Sequence, residues 1–95
     1  MAYEIEWSEV AEKELSKLPK QISSRIVKKV DSIKENPFHF LEHYEGEKVY
    51  KLRIGDYRAL VDVNFKDKVL KVQVVGDRGI IYKRFKKYLD SGRTI

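Results

Sequence analysis

The sequence predicts a single α+β domain over residues 1–95, with the element order β-α-α-β-β-β-α, an antiparallel sheet, an N-terminal helix hairpin on one face and a C-terminal helix. Three observations carry that prediction. The chain has 95 residues, 42% hydrophobic and 37% charged, enough for one core without metal or disulfide staples and too interrupted by charge for a membrane span. Apolar residues recur at helical spacing in the first half and again at the end. Between them lie three β-rich runs separated by short turns.

In chain order, Tyr3, Ile5 and Trp7 alternate with Glu4 and Glu6, the period-2 pattern of a strand with one buried face. Ser8 is placed to cap a helix running from about Ser8 to Leu18. Ala11 cannot complete a capping box, but Glu9 and Glu12 put negative charge at the helix start, where the dipole favours it. After Pro19, Ile22, Ile26, Val30 and Ile33 form an apolar stripe on a second helix that stops at Asn36, before Pro37. The short turn between the helices predicts an antiparallel hairpin. Residues 37–48 show no sustained period and include Gly46, and read as a connecting loop with aromatic anchors. Val49–Ile54, Tyr57–Asn64 and Lys68–Val75 form a meander, turning at Gly55-Asp56 and around Phe65-Lys66-Asp67, and Gly76 ends its last strand. Ile81, Phe85, Tyr88 and Leu89 at i, i+4, i+7 and i+8 give a final amphipathic helix, with Gly92 as its stop.

Several function classes drop out. With no cysteine there is no disulfide framework, thiolate zinc site or Cys nucleophile. His39 and His43 can supply at most part of a metal site; they read as loop histidines among aromatics, with an auxiliary acid–base role left open. No phosphate-cradling GxxxxGK loop, Rossmann glycine pattern or close acidic pair is present, and neither cofactor nor metal is expected. The N-terminal Met-Ala-Tyr-Glu-Ile-Glu has no apolar targeting segment, so a cytoplasmic location is expected.

Net charge is +5 but unevenly spread: residues 1–47 carry 7 Lys/Arg against 10 Asp/Glu, a net of −3, and residues 48–95 carry 13 against 5, a net of +8. Such asymmetry suits a polyanionic partner, nucleic acid or an acidic protein segment, and equally describes a well-solvated basic surface. Alternation puts Lys51 and Arg53 on one face of their strand and Tyr50, Leu52 and Ile54 on the other. A two-residue turn at Gly55-Asp56 then sets Arg53 directly opposite Arg58, a like-charge pair that costs a fraction of a kcal/mol. Two readings follow. Lys51, Arg53 and Arg58 form an anion-binding surface suited to phosphate, or Asp62 on the same face, or a carboxylate from elsewhere, neutralises them. Arg78, after the last strand, either reaches back over the sheet or pairs with Asp77. Tyr82, four residues on, either faces the same region or packs beside Phe85 and Leu89. Lys83, Arg84, Lys86 and Lys87 give the final helix a basic face that can grip phosphates or simply be its solvated side.

The stretch Tyr50-Lys51-Leu52-Arg53-Ile54-Gly55-Asp56-Tyr57-Arg58, followed by Val74-Val75-Gly76-Asp77-Arg78 and Tyr82, resembles the RelE/ParE superfamily of toxins from toxin–antitoxin modules, and the inferred element order is similar over nearly the whole chain. The RelE-like branch of mRNA interferases implies a ribosome-dependent endoribonuclease that cuts mRNA in the A site by 2′-hydroxyl attack. The resemblance implies catalytic roles for Lys51, Arg53, Arg58, Arg78 and Tyr82, and a RelB-like antitoxin as partner alongside ribosome and mRNA; the basic face of the last helix then supplies RNA contacts from Lys83, Arg84, Lys86 and Lys87. Asp77 stands where relatives often carry a basic residue, and Arg53 where some have Lys, a better proton shuttle. The ParE-like branch, which inhibits DNA gyrase, is the alternative, and an inactive RNA-binding domain a third.

Overall fold

The computed structural model describes residues 2–45 and 48–90, the side chains at 45 and 88–90 excepted. In order they form β1 (Glu4–Trp7), α1 (Glu9–Ser16), α2 (Lys20–Ser32), β2 (Glu42–Glu45), β3 (Val49–Ile54), β4 (Tyr57–Asn64), β5 (Val69–Asp77) and α3 (Ile81–Asp90), with a 3₁₀ turn at Pro37–His39. The architecture is α+β. Gly46 and Gly92 lie outside the described residues.

The five strands lie in the order β1-β5-β4-β3-β2, and two features correct the sequence reading. β1 runs parallel to β5, with Glu4 opposite Val69 and Trp7 opposite Val72, so the sheet is mixed rather than antiparallel throughout. Alternation specifies which side of a strand is buried and is silent on the direction of its neighbour. Residues 42–45, read as loop, form a strand on β3, with Glu42 opposite Lys51. Four residues without alternation carry no strand signal alone; β3 supplies the edge that orders them.

Local signals account for the element ends. The Ser8 Oγ accepts from the Ala11 N–H at 3.0 Å and caps α1. α2 ends at Ser32 with Ile33 as its C-cap, short of Asn36. β5 runs one residue past Gly76, to Asp77.

The α1–α2 hairpin covers one sheet face, where Ala11, Ile26, Val30 and Ile33 meet Leu52, Val61 and Val72. The other face holds a smaller core, Val49, Leu60 and Val74 beneath Ile81 and Phe85 of α3. A bulge in β5 lets one strand serve both. Leu60 is opposite Val74 and Val61 opposite Val72, which leaves Gln73 as an extra residue. The side-chain alternation slips by one there, so Val72 and Val75 face the hairpin and Val74 faces α3. No helix among the described residues is long and apolar enough to cross a membrane.

Candidate functional site at the arginine turn

Gly55 has φ +60°, the left-handed conformation that a two-residue hairpin turn demands and a Cβ opposes. The turn places Ile54 opposite Tyr57 and Arg53 directly opposite Arg58. Leu52 and Ile54 are buried toward the hairpin, so by alternation Lys51, Arg53 and Arg58 stand on the α3 side of the sheet. The like-charge pair inferred from spacing is therefore part of the structure.

The arginines are held by backbone rather than by carboxylates. Arg58 Nη1 donates to the carbonyls of Gly55 at 2.8 Å and Tyr57 at 2.9 Å, which fixes the guanidinium against its own turn. The Arg78 N–H donates to the Asp56 carbonyl at 2.9 Å, tying the loop after β5 to the same turn. Arg25 of α2 joins them: its Nη1 lies 3.6 Å from where a Cβ on Gly55 would sit. Among the described residues none of these four arginines has an ion pair; the pairs present are Lys34–Asp31, Lys51–Glu42 and Arg84–Glu14. Asp62 accepts from Gln73 Nε2 at 3.2 Å. Asp77 Oδ1 accepts from the N–H groups of Gly79 and Ile80 at 2.8 and 3.0 Å, fixing the entry to α3. Lys51 Nζ is 3.9 Å from Glu42 Oε1, a loose, solvent-screened pair.

Tyr82 is 40% exposed, and its ring lies 5.6 Å from that of Tyr44 at 33°; Phe85 fills the small core beside it. Lys83, Lys86 and Lys87 are exposed on α3. Arg84, which the sequence groups with them, turns inward. Its Nε meets Glu14 Oε2 at 3.1 Å and its Nη1 donates to the Val75 carbonyl at 2.6 Å. Glu14 Oε1 in turn accepts from the Val75 N–H at 2.7 Å. Beyond Trp7 the β1 side of β5 has no strand partner, and these two side chains satisfy the backbone groups left over. Burial pushes the Glu14 carboxyl above its ordinary value, with the Val75 N–H and then the Arg84 charge opposing that rise. A Cβ on Gly76 would come within 2.9 Å of Arg84 Nη1, so a side chain there would displace the guanidinium from where it crosses the strand.

Sequence reasoning missed Glu14 and Arg25. Both sit in ordinary helical charge patterns, and only the tertiary fold reveals what they face. His39 and His43 pack edge-on against Phe40 and Tyr50, at 4.9 and 5.3 Å between ring centroids. Among the described residues no group of three or more His, Asp and Glu is arranged to hold a metal ion.

Residues 5–82 match a family described as the ParE toxin of the type II toxin–antitoxin system parDE. A search of curated protein sequences finds no match. Among solved structures, the archaeal RelE–RelB complex from Pyrococcus horikoshii contains a chain 31% identical, with a TM-score of 0.69 over 83% of this chain and 98% of that one. The isolated RelE toxin of E. coli is 26% identical, with a TM-score of 0.70 over 93% and 99%. The RelBE2 toxin–antitoxin complex from Mycobacterium tuberculosis, 21% identical with a TM-score of 0.75 over 82% and 100%, shares the fold. With the family match spanning both the hairpin core and the arginine turn, the chain belongs to the RelE/ParE superfamily of type II toxin–antitoxin toxins.

Proposed function

We propose that this toxin is an endoribonuclease that cuts mRNA in the ribosomal A site. The observation that carries the reading is the Arg53–Arg58 cross-strand pair: two guanidinium groups set opposite one another with no carboxylate paired to either among the described residues. Such a pair is favourable once an anion lies over it, and a phosphodiester matches the Arg fork.

The chemistry is transfer of the phosphoryl bond within the RNA. The 2′-oxygen bonds to the adjacent phosphorus, the P–O5′ bond breaks, the 2′-proton leaves to a base and the 5′-oxygen gains one. Arg58 and Arg78 hold the scissile phosphate and offset the charge that grows on it, which is where fixed cations accelerate most. Lys51 and Arg53 supply the field that favours the alkoxide. Of these four side chains only Lys51 can exchange a proton, since arginine stays protonated. Tyr82, with Tyr44 behind it, positions the nucleotide by stacking, and its hydroxyl is available to the 2′-OH. Lys83, Lys86 and Lys87 extend phosphate contact along α3, and Arg84 serves it by holding that helix in place.

A cognate antitoxin is the natural partner, as in the RelE–RelB complex of P. horikoshii and the intact RelBE complex of E. coli. An acidic segment of it would neutralise the basic second half, in the cytoplasm where translation takes place. The test is to add the purified chain to translating ribosomes and map mRNA 5′ ends. New ends at the A-site codon are expected; intact message overturns the reading. The ParE family match favours a second reading, gyrase inhibition, which predicts intact mRNA together with loss of DNA supercoiling.

A further inference from the structure

A second exposed patch lies at the other end of the sheet, where β4 turns into β5. Phe38 of the 3₁₀ turn and Phe65 of the β4–β5 turn stack with centroids 5.6 Å apart and planes 12° from parallel. Both stay exposed, at 42% and 46%, although Tyr3 and Tyr50 stand edge-on to Phe38 at 6.0 and 5.4 Å and hold it in place. The same turn contains Lys68 at φ +56°, the non-glycine residue with positive φ among those described. A hairpin tip in that conformation suits Gly or Asn, and a lysine is disfavoured there. Backbone strain of this kind points to a side chain retained for its use. The Lys68 ammonium sits 5.6 Å from the Tyr3 ring centroid, with Lys66 exposed nearby. The acid of the turn is occupied: Asp67 Oδ2 accepts from Asn64 Nδ2 at 3.1 Å, and the Asp67 N–H donates to Asn64 Oδ1 at 2.9 Å.

We infer that this turn is a second RNA contact, on which an unstacked base of ribosomal RNA lies against the Phe38–Phe65 pair while Lys66 and Lys68 grip its flanking phosphates. The inference rests on the ribosome-dependent reading above. Flat exposed rings beside cations are the combination that binds single-stranded RNA, because every base offers a π-face and a phosphate. The cut strand does not serve both sites. Phe65 is seven residues along β4 from Arg58, about 23 Å at the usual rise of a strand. Tyr3 and Tyr50 pack against the hairpin core, on the side of the sheet away from Arg53 and Arg58. The occupant is therefore a separate segment, and on a ribosome that segment is ribosomal RNA.

The test is cosedimentation of the full chain with vacant ribosomes over a salt series, alongside thermal melts and ultraviolet crosslinking of the same samples. Lys68→Gly relieves the backbone and should melt above wild type. It should nevertheless bind ribosomes less tightly, with the slope of log affinity against log salt reduced by about 1. Phe65→Ala should weaken binding about fivefold or more, and wild type should crosslink the Phe65 segment to ribosomal RNA. Unchanged affinity in both variants overturns the inference, as do crosslinks that run to a ribosomal protein or to a second copy of the chain in place of RNA. Wild type that binds and cuts while both variants bind equally well removes this contact alone; wild type that never binds ribosomes removes the ribosome-dependent reading with it.

Discussion

Arg84 and Arg58 are both half-buried arginines, and they do opposite things. Arg84 meets a carboxylate and a carbonyl, so its charge is spent on joining α1, β5 and α3. Among the described residues Arg58 bonds to carbonyls, which orient it without neutralising its charge. The difference lies in what the neighbouring elements present. Glu14 reaches the open side of β5, whereas Asp56 and Asp77 stand beside the turn arginines in sequence and, among the described residues, form no ion pair with them. Whether a half-buried acid faces it decides if a basic residue here has its charge neutralised within the fold.

The largest effect is expected of Glu14→Ala, which strands the Arg84 guanidinium and the Val75 N–H together. A loss of about 3 kcal/mol in urea unfolding is expected, against almost none for removing a turn arginine. Conversely, Arg78→Ala should cut mRNA cleavage about 100-fold while its unfolding free energy stays within about 0.5 kcal/mol of wild type; a large stability loss would show that Arg78 is a second Arg84. Arg53→Glu converts the like-charge pair into an opposite one. It should stabilise the fold by about 0.5 kcal/mol and abolish cleavage, the signature of charge kept for function at the expense of folding.

The smallest effect is in the pH dependence. Burial raises the folded Glu14 pKa, so the folded state holds a proton more readily than the unfolded chain. Glu14 therefore contributes stability that is fully present below the ordinary carboxylate value and is lost as pH rises through the raised one. Glu14→Gln, which can still accept from Val75, should flatten that part of the stability–pH curve. An unchanged slope would assign it to another group.

The arginine turn was legible because it depends on local rules: strict alternation in Val49–Ile54 and a two-residue turn at Gly55 determine that Arg53 faces Arg58. The hairpin and the final helix were legible for the same reason, through helical spacing of Ile22, Ile26 and Val30 and of Ile81 and Phe85. What escaped depends on contacts between distant segments. The parallel partner of Trp7 is Val72, and nothing within either run specifies direction. β2 exists through its pairing with β3. Arg84 reads as one of four basic residues within five positions until Glu14, seventy residues earlier in the chain, is brought against it.

The unpaired Gln73 in β5 also sets how the molecule can be recombined. Because the alternation changes phase there, the half of β5 before it belongs to one core and the half after it to two. A chimaera that takes β5 and α3 from a relative whose strand runs straight through would rotate every later side chain by half a turn. Val75 would be driven into the α3 side, Val74 into the hairpin, and the loop bearing Arg78 would leave the strand with its direction reversed. Crossover points for shuffling these toxins therefore fall outside the span from α1 to α3, because β5 has to travel as one unit with the helices on both sides of it.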